Sequence, residues 1–216
     1  MKIRVSISSS SLVRFAWLTV VLLFPVALLN YLDRQMLGAM KTSVMKALPD
    51  IETDGNWGRM LGQFKWVYAV LSPIGGFLAD RFSRRLTICL SLFSWSVVTY
   101  WTGTVTSYSE LLWARSCMGF SEAFYIPAAL ALITDYHTKQ TRSRAVGIHQ
   151  MAIYCGVILG GFGGLVADLP GFGWRFAFRV SGVVGMLYTF PLFFLLRDAP
   201  KSPHQEDKSQ KISWAD

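Results

Sequence analysis

Four ionisable residues sit where the surrounding sequence is almost wholly apolar: Asp33 and Arg34 within Asn30-Tyr31-Leu32-Asp33-Arg34, and Arg115 and Glu122 in a later run. Arg34 offers a planar fork that grips a carboxylate or phosphate through two N–H groups and does not lose its charge. It is the first candidate to bind an anion, with Asn30, Tyr31, Arg115 and Tyr125 as its polar company. A carboxyl withdrawn from water can titrate far from its usual range, so Asp33 and Glu122 are the candidates to carry a proton. Spacing supports shared faces. Asn30 lies three and four residues before Asp33 and Arg34, and Arg115 lies seven before Glu122, so each set can project from one side of a helix. Asp33 and Arg34, being adjacent, diverge by about 100° and need not pair with each other.

The elements that carry these residues are membrane spans. With 52% hydrophobic and 16% charged residues and a mean hydropathy of +0.37, the chain is far more apolar than a soluble domain, in which about 25% of residues are charged. Six stretches approach the ~20 apolar residues needed to cross a bilayer: 13–32 or beyond, 57–78, 86–105, 111–133, 145–167 and 174–196. Open strands cannot satisfy their backbone groups in lipid, so the expected fold is all-α and polytopic. A charge near the bilayer centre costs roughly 2.5–3.5 kcal/mol on insertion scales, which makes the four ionisable residues functional candidates by default.

Lys and Arg set the orientation. Lys2, Arg4 and Arg14 precede the first span; Arg81, Arg84 and Arg85 join the second and third; Lys139, Arg142 and Arg144 join the fourth and fifth; Arg197, Lys201, Lys208 and Lys211 follow the sixth. Short loops rich in these residues stay in the cytoplasm, so both termini are expected there. The same bias accounts for the net charge of +8 and removes any need for a nucleic-acid partner. The first span is not expected to be a signal peptide, because no small-residue cleavage site follows it and five further apolar runs do. The expected organisation is a cytoplasmic amino-terminal segment, 1–12, a six-helix bundle, 13–197, and a polar tail or linker, 198–216.

Within the spans, Pro25, Pro73, Pro127 and Pro191 are expected to bend helices. Gly156, Gly160 and Gly164 recur every four residues and offer a face for close helix packing. Trp57, Trp101, Trp113 and Trp174 fall near outer span ends and Trp17 near an inner end, where aromatic belts form. Cys89, Cys117 and Cys155 lack metal-ligand spacing and read as packing residues. No metal or cofactor motif, catalytic Ser/His arrangement or phosphate-binding glycine loop is present, so neither an enzyme nor a nucleotide-driven pump is expected.

The connection Gly75-Gly76-Phe77-Leu78-Ala79-Asp80-Arg81-Phe82-Ser83-Arg84-Arg85 resembles the cytoplasmic signature of the major facilitator superfamily, with Ser83 where that family usually has Gly. Arg115, Gly119 and Glu122 are similar to its fourth-span pattern, and Arg142-Ser143-Arg144-Ala145 with Gly147 to its next cytoplasmic connection. The Asn30–Arg34 segment, together with Ser121-Glu122-Ala123-Phe124-Tyr125-Ile126-Pro127-Ala128, looks most like the organic anion:cation symporters and the Spinster-like transporters. The resemblance implies two inverted three-helix repeats, together half of a twelve-helix fold. It further implies alternating access around a site at the repeat interface, and a cytoplasmic gate formed by Gly76, Asp80, Arg81, Arg84, Arg85 and Arg144.

The function so implied is secondary transport of a small organic anion, such as a sugar acid, coupled to protons, in a bacterial inner membrane. A Spinster-like carrier of lysolipids and a non-transporting membrane fragment are the alternatives. The partners would be a small anionic substrate, protons, the bilayer, and a second six-helix half or a second copy. Two local readings also stay open: the first span ends at Leu32, leaving Asp33 and Arg34 as flanking charges, or it continues; and Arg115 and Glu122 form a structural ion pair or line a cavity.

Overall fold

The computed structural model describes the backbone of residues 9–200, and the side chains in that range except those of 9–11 and 78–80. Its elements are α1 (Ser9–Ala39), α2 (Lys41–Ala47), a 3-10 turn (Pro49–Ile51), α3 (Asp54–Arg81), α4 (Arg84–Thr102), α5 (Tyr108–Glu122), α6 (Tyr125–Tyr136), α7 (Lys139–Gly161), α8 (Gly163–Asp168) and α9 (Gly173–Leu195). The first run does not end at Leu32. Gln35, Met36 and Leu37 are good helix formers and no breaker intervenes, so Asp33 and Arg34 lie within one 31-residue helix.

The fourth run, expected to be continuous, is divided into α5 and α6. Pro127 has no N–H to offer the carbonyl of Ala123 four residues back, and the helix breaks at Ala123-Phe124. The fifth divides at Phe162, among four glycines of low helix propensity, into α7 and α8. Counting α5–α6 and α7–α8 as single rods, the described residues form six. Among the described residues, Leu12–Ala39, Tyr108–Tyr136, Lys139–Asp168 and Gly173–Leu195 are long and apolar enough to cross a bilayer. The other two rods, α3 and α4, hold 28 and 19 residues but more polar side chains. Even the shorter spans about 28 Å, close to a bilayer's hydrocarbon thickness.

Rod pairing shows the internal repeat. The first rod packs along the fifth, the second against the fourth, and the third along the sixth. Exchanging rods one, two and three with four, five and six leaves this set of pairs unchanged, as two three-helix repeats require. Glycines set the closest of these contacts. A β-carbon at Gly160 would lie 2.6 Å from the Leu32 carbonyl on α1, and one at Gly75 2.7 Å from the Ala123 carbonyl that Pro127 leaves free. The signature glycine Gly76 meets nothing within 4 Å, so the close approach belongs to its neighbour.

The tryptophans depart from a simple belt. Trp57 and Trp174 are buried in an apolar cluster with Met40, Ile51, Met60 and Phe178, because α2 and the 3-10 turn fold back over that end of the bundle. Trp101 and Trp113 remain exposed. Cys89 is buried and Cys117 and Cys155 partly so, all unbridged.

The basic connections converge at the opposite end. Ser83, in place of glycine, caps α4: its hydroxyl accepts from the Leu86 amide at 3.1 Å and donates to Asp198 at 2.5 Å. The second Asp198 oxygen accepts from the Arg85 amide at 2.8 Å. Arg84 pairs with Asp135, and Arg85 donates to the Phe193 carbonyl while its guanidinium lies over the Phe193 ring. Tyr136 donates to the carbonyls of Arg197 and Asp198. His137 joins the same end, with Nε2 3.2 Å from the Ala16 carbonyl, Nδ1 3.1 Å from Thr141 and its ring edge-on to Trp17. Burial pushes its pKa below the usual imidazole value, and the Ala16 contact opposes that in part.

Two outcomes follow. Gly160→Ala should destabilise the chain by about 1–3 kcal/mol through forced separation of α1 and α7, while Gly161→Ala, with open space around it, should not; thermal unfolding in detergent compares them. Because the folded His137 binds a proton less readily than the unfolded one, its contribution to stability is complete above about pH 6.5 and is lost as pH falls through the depressed folded value. The melting temperature should therefore decline on acidification, and less steeply in His137→Gln.

Candidate functional site

Between the two apolar clusters of the bundle lies a polar layer. On α1, Val26 and Ala27 belong to one cluster and Met36 and Leu37 to the other; Asn30, Asp33 and Arg34 fall between. On α4, Thr99 falls between Trp95 of the first cluster and the Val105 that follows the helix in the second. On α5, Arg115 follows Leu111 and Ala114 of the second cluster, and Glu122 precedes Tyr125 of the first. Packing thus gathers the ionisable residues that the sequence separates by 80 positions or more.

The ion pair that forms joins α1 to α5. Arg34 Nε donates to Glu122 Oε2 at 2.6 Å, with the glutamate side chain fully buried and the arginine 19% exposed. Three rings box the Arg34 guanidinium, with the centres of Tyr31, Phe64 and Tyr68 4.7–4.8 Å away. Such cation–π contacts compensate a guanidinium for lost water. Arg115, 2% exposed, has its guanidinium carbon 4.6 Å from the Phe64 ring centre, so one ring serves both arginines. Gly119 makes this possible: a β-carbon there would sit 2.7 Å from the Phe64 carbonyl, and its absence lets α5 close on α3.

Asp33, 2% exposed, accepts from the Thr99 hydroxyl at 2.8 Å. Two arginines and two acids lie together, which allows the layer to be neutral when all are ionised. Its bonding capacity is not exhausted. Asn30 adjoins Glu122, and Asp33 Oδ1, Arg34 Nη2, Arg115 Nε and Nη1 and Glu122 Oε1 are buried without a hydrogen-bond partner among the described residues. Those atoms lack the partners that buried polar groups ordinarily have.

Asn30, Tyr31, Asp33, Arg34, Arg115 and Glu122 are therefore brought together. Tyr125 is not: it is buried in the apolar cluster, edge-on to Trp95, donating to the Leu23 carbonyl at 3.3 Å and lying 3.0 Å from His149 Nε2. Of the expected gate residues, Arg84 and Arg85 join the network at the basic end; Arg81 lies over Phe77, and Arg144 is exposed on α7. The side chain of Asp80 lies outside the described residues. Sequence reasoning missed Phe64, Tyr68 and Thr99. Nothing in an apolar run distinguishes an aromatic that boxes a cation from one that meets lipid.

Six helical rods in two like-paired triplets around a buried charge layer define a polytopic, integral membrane protein. The chain belongs to the Major Facilitator Superfamily, whose model matches residues 23–215, and within it to the Spinster-like branch, corresponding to the amino-terminal six-helix half of the fold. It is 35% identical over 212 residues to protein spinster homolog 1 of Rattus norvegicus, covering 92% of this chain and 39% of that protein. To the sphingosine-1-phosphate transporter SPNS2 of Mus musculus it is 31% identical, covering 86% of this chain and 34% of that one. The solved structure of a bacterial homologue of the human lysosomal transporter Spinster, inward-facing and unoccupied, superposes with a TM-score of 0.79 at 25% identity, over 87% of this chain and 44% of the other. The chain spans less than half the length of these relatives.

Removing one partner of a buried ion pair strands the other, at a cost of about 3–5 kcal/mol. Arg34→Met should therefore lower the melting temperature sharply. Arg34→Met combined with Glu122→Met should recover most of that loss, and additive losses in the cycle would show that the pair is not coupled.

Proposed function

We propose that this chain supplies the amino-terminal half of a proton-coupled secondary carrier for an anionic amphiphile, a single-chain lipid with an acidic head. The observation that carries the reading is the buried layer of Asp33, Arg34, Arg115 and Glu122, with donors and acceptors left uncommitted beside three aromatic rings. Arg115 and Arg34 supply the N–H donors an acidic head needs, while the rings of Tyr31, Phe64 and Tyr68 accept apolar or cationic substituents. Kinship with a protein named as a sphingosine-1-phosphate transporter favours such a head over the sugar acid expected from sequence.

Proton coupling follows from charge balance. Uptake of a proton by Asp33 or Glu122 leaves the layer with excess positive charge, which favours an anion; release restores neutrality and favours its departure. Differential affinity of this kind drives a switch between outward- and inward-facing states. In this reading the basic end faces the cytoplasm, and a second six-helix half closes the pathway.

Reconstitution in proteoliposomes of the full-length product containing this chain tests the reading. Uptake of a labelled lysophospholipid should be driven by an inward proton gradient and competed by other lysophospholipids more than by sugar acids. The reverse order of competition would move the substrate to the soluble acids, and no uptake would remove the carrier reading. Arg34→Ala should abolish uptake in folded protein. Asp33→Asn or Glu122→Gln should leave uptake insensitive to the proton gradient; unchanged coupling in both would exclude their proton role.

A further inference from the structure

The buried hydroxyls of α4 do not all behave alike. Ser96 donates to the Leu92 carbonyl at 2.7 Å and Thr102 to the Val98 carbonyl at 2.9 Å, the back-bonding to the preceding turn that satisfies a hydroxyl inside a helix. Ser91 donates across to the Ser121 carbonyl at the break between α5 and α6. Thr99, fully buried, ignores its own helix and donates to Asp33 Oδ2 on α1. The bond also crosses a boundary in the packing, because α1 lies along α7 and α4 along α9.

We infer that Thr99 is a positioning residue for the proton step, its hydroxyl holding the Asp33 carboxylate in place and setting the pH at which that carboxyl takes up a proton. This rests on the proton-coupled reading of the same layer. Thr99 is the one hydrogen-bond partner of Asp33 among the described residues, and Oδ1 has none. Arg115 and Glu122 face the carboxyl from α5, and Arg34 follows it on α1. Beside those charges, which act through space, the neutral donor from α4 is the direct hydrogen bond to the carboxylate, and a hydroxyl donating to a carboxylate favours the charged form. The same bond ties protonation on α1 to the position of α4, and so to the α4–α9 pair that ends at the Asp198 cap.

The test reads Asp33 directly. In the purified full-length protein in lipid nanodiscs, the infrared stretch of the protonated carboxyl, assigned by its loss in Asp33→Asn, is titrated with pH. Thr99→Val, close in shape and without the hydroxyl, should move the midpoint up by about one pH unit, and Thr99→Ser should return it to the wild-type value. A midpoint unmoved in Thr99→Val overturns the inference, as does an Asp33 band that does not titrate between about pH 4 and pH 10. Thr99→Ala, judged by the same criterion, replaces the valine variant should that fail to fold. Transport is absent from this readout, so the inference fails or stands separately from the carrier reading, which proton-driven uptake decides.

Discussion

The bond between Arg34 and Glu122 is the constraint on which the middle of the bundle depends. Each ion withdrawn from water carries a penalty of several kcal/mol even after relaxation, and a nearby opposite charge offsets it only at hydrogen-bonding geometry. At 2.6 Å the pair meets that condition. It also joins the first and fourth rods, the corresponding members of the two repeats, so the electrostatic requirement and the internal symmetry coincide. Arg115 and Asp33 then sit in the field of this pair without closing on each other, which leaves the layer balanced in sign when all four are ionised and incompletely bonded in detail.

Such a layer exists only because backbones approach closely around it. Gly160 brings α7 against α1 at Leu32, Gly119 brings α5 against α3 at Phe64, and Gly75 brings α3 against the break that Pro127 opens after Glu122. In lipid, small residues at helix interfaces supply the packing that hydrophobic exclusion cannot. Gly119 lies between Arg115 and Glu122, Gly160 packs on the residue before Asp33, and Gly75 packs on the break after Glu122. The shape of the site is thus set by missing side chains as much as by present ones.

At the basic end, hydrogen bonds are added to the apolar cluster that reaches Leu192 and Leu196. Ser83, Arg85 and Tyr136 converge on Arg197 and Asp198, where the chain leaves the sixth rod, and Arg84 reaches Asp135. A serine in the family's glycine position serves here as a cap with a partner of its own.

The class of the molecule is legible in its residues: apolar runs of bilayer length, alternating basic connections, and ionisable residues too costly in lipid to be incidental. Helical spacing correctly grouped Asn30 with Asp33 and Arg34, and Arg115 with Glu122, because the 3.6-residue period is a property of one helix. Partnership is not. That Arg34 takes Glu122, that Phe64 lies against both arginines, that Asp33 takes Thr99, and that Tyr125 turns to His149 were decided by how rods dock, through glycine contacts and a proline break whose consequences are long-range. The length of α1 beyond Leu32 and the burial of Trp57 and Trp174 have the same origin. Local propensity says what a helix can present, and only tertiary packing says what it meets.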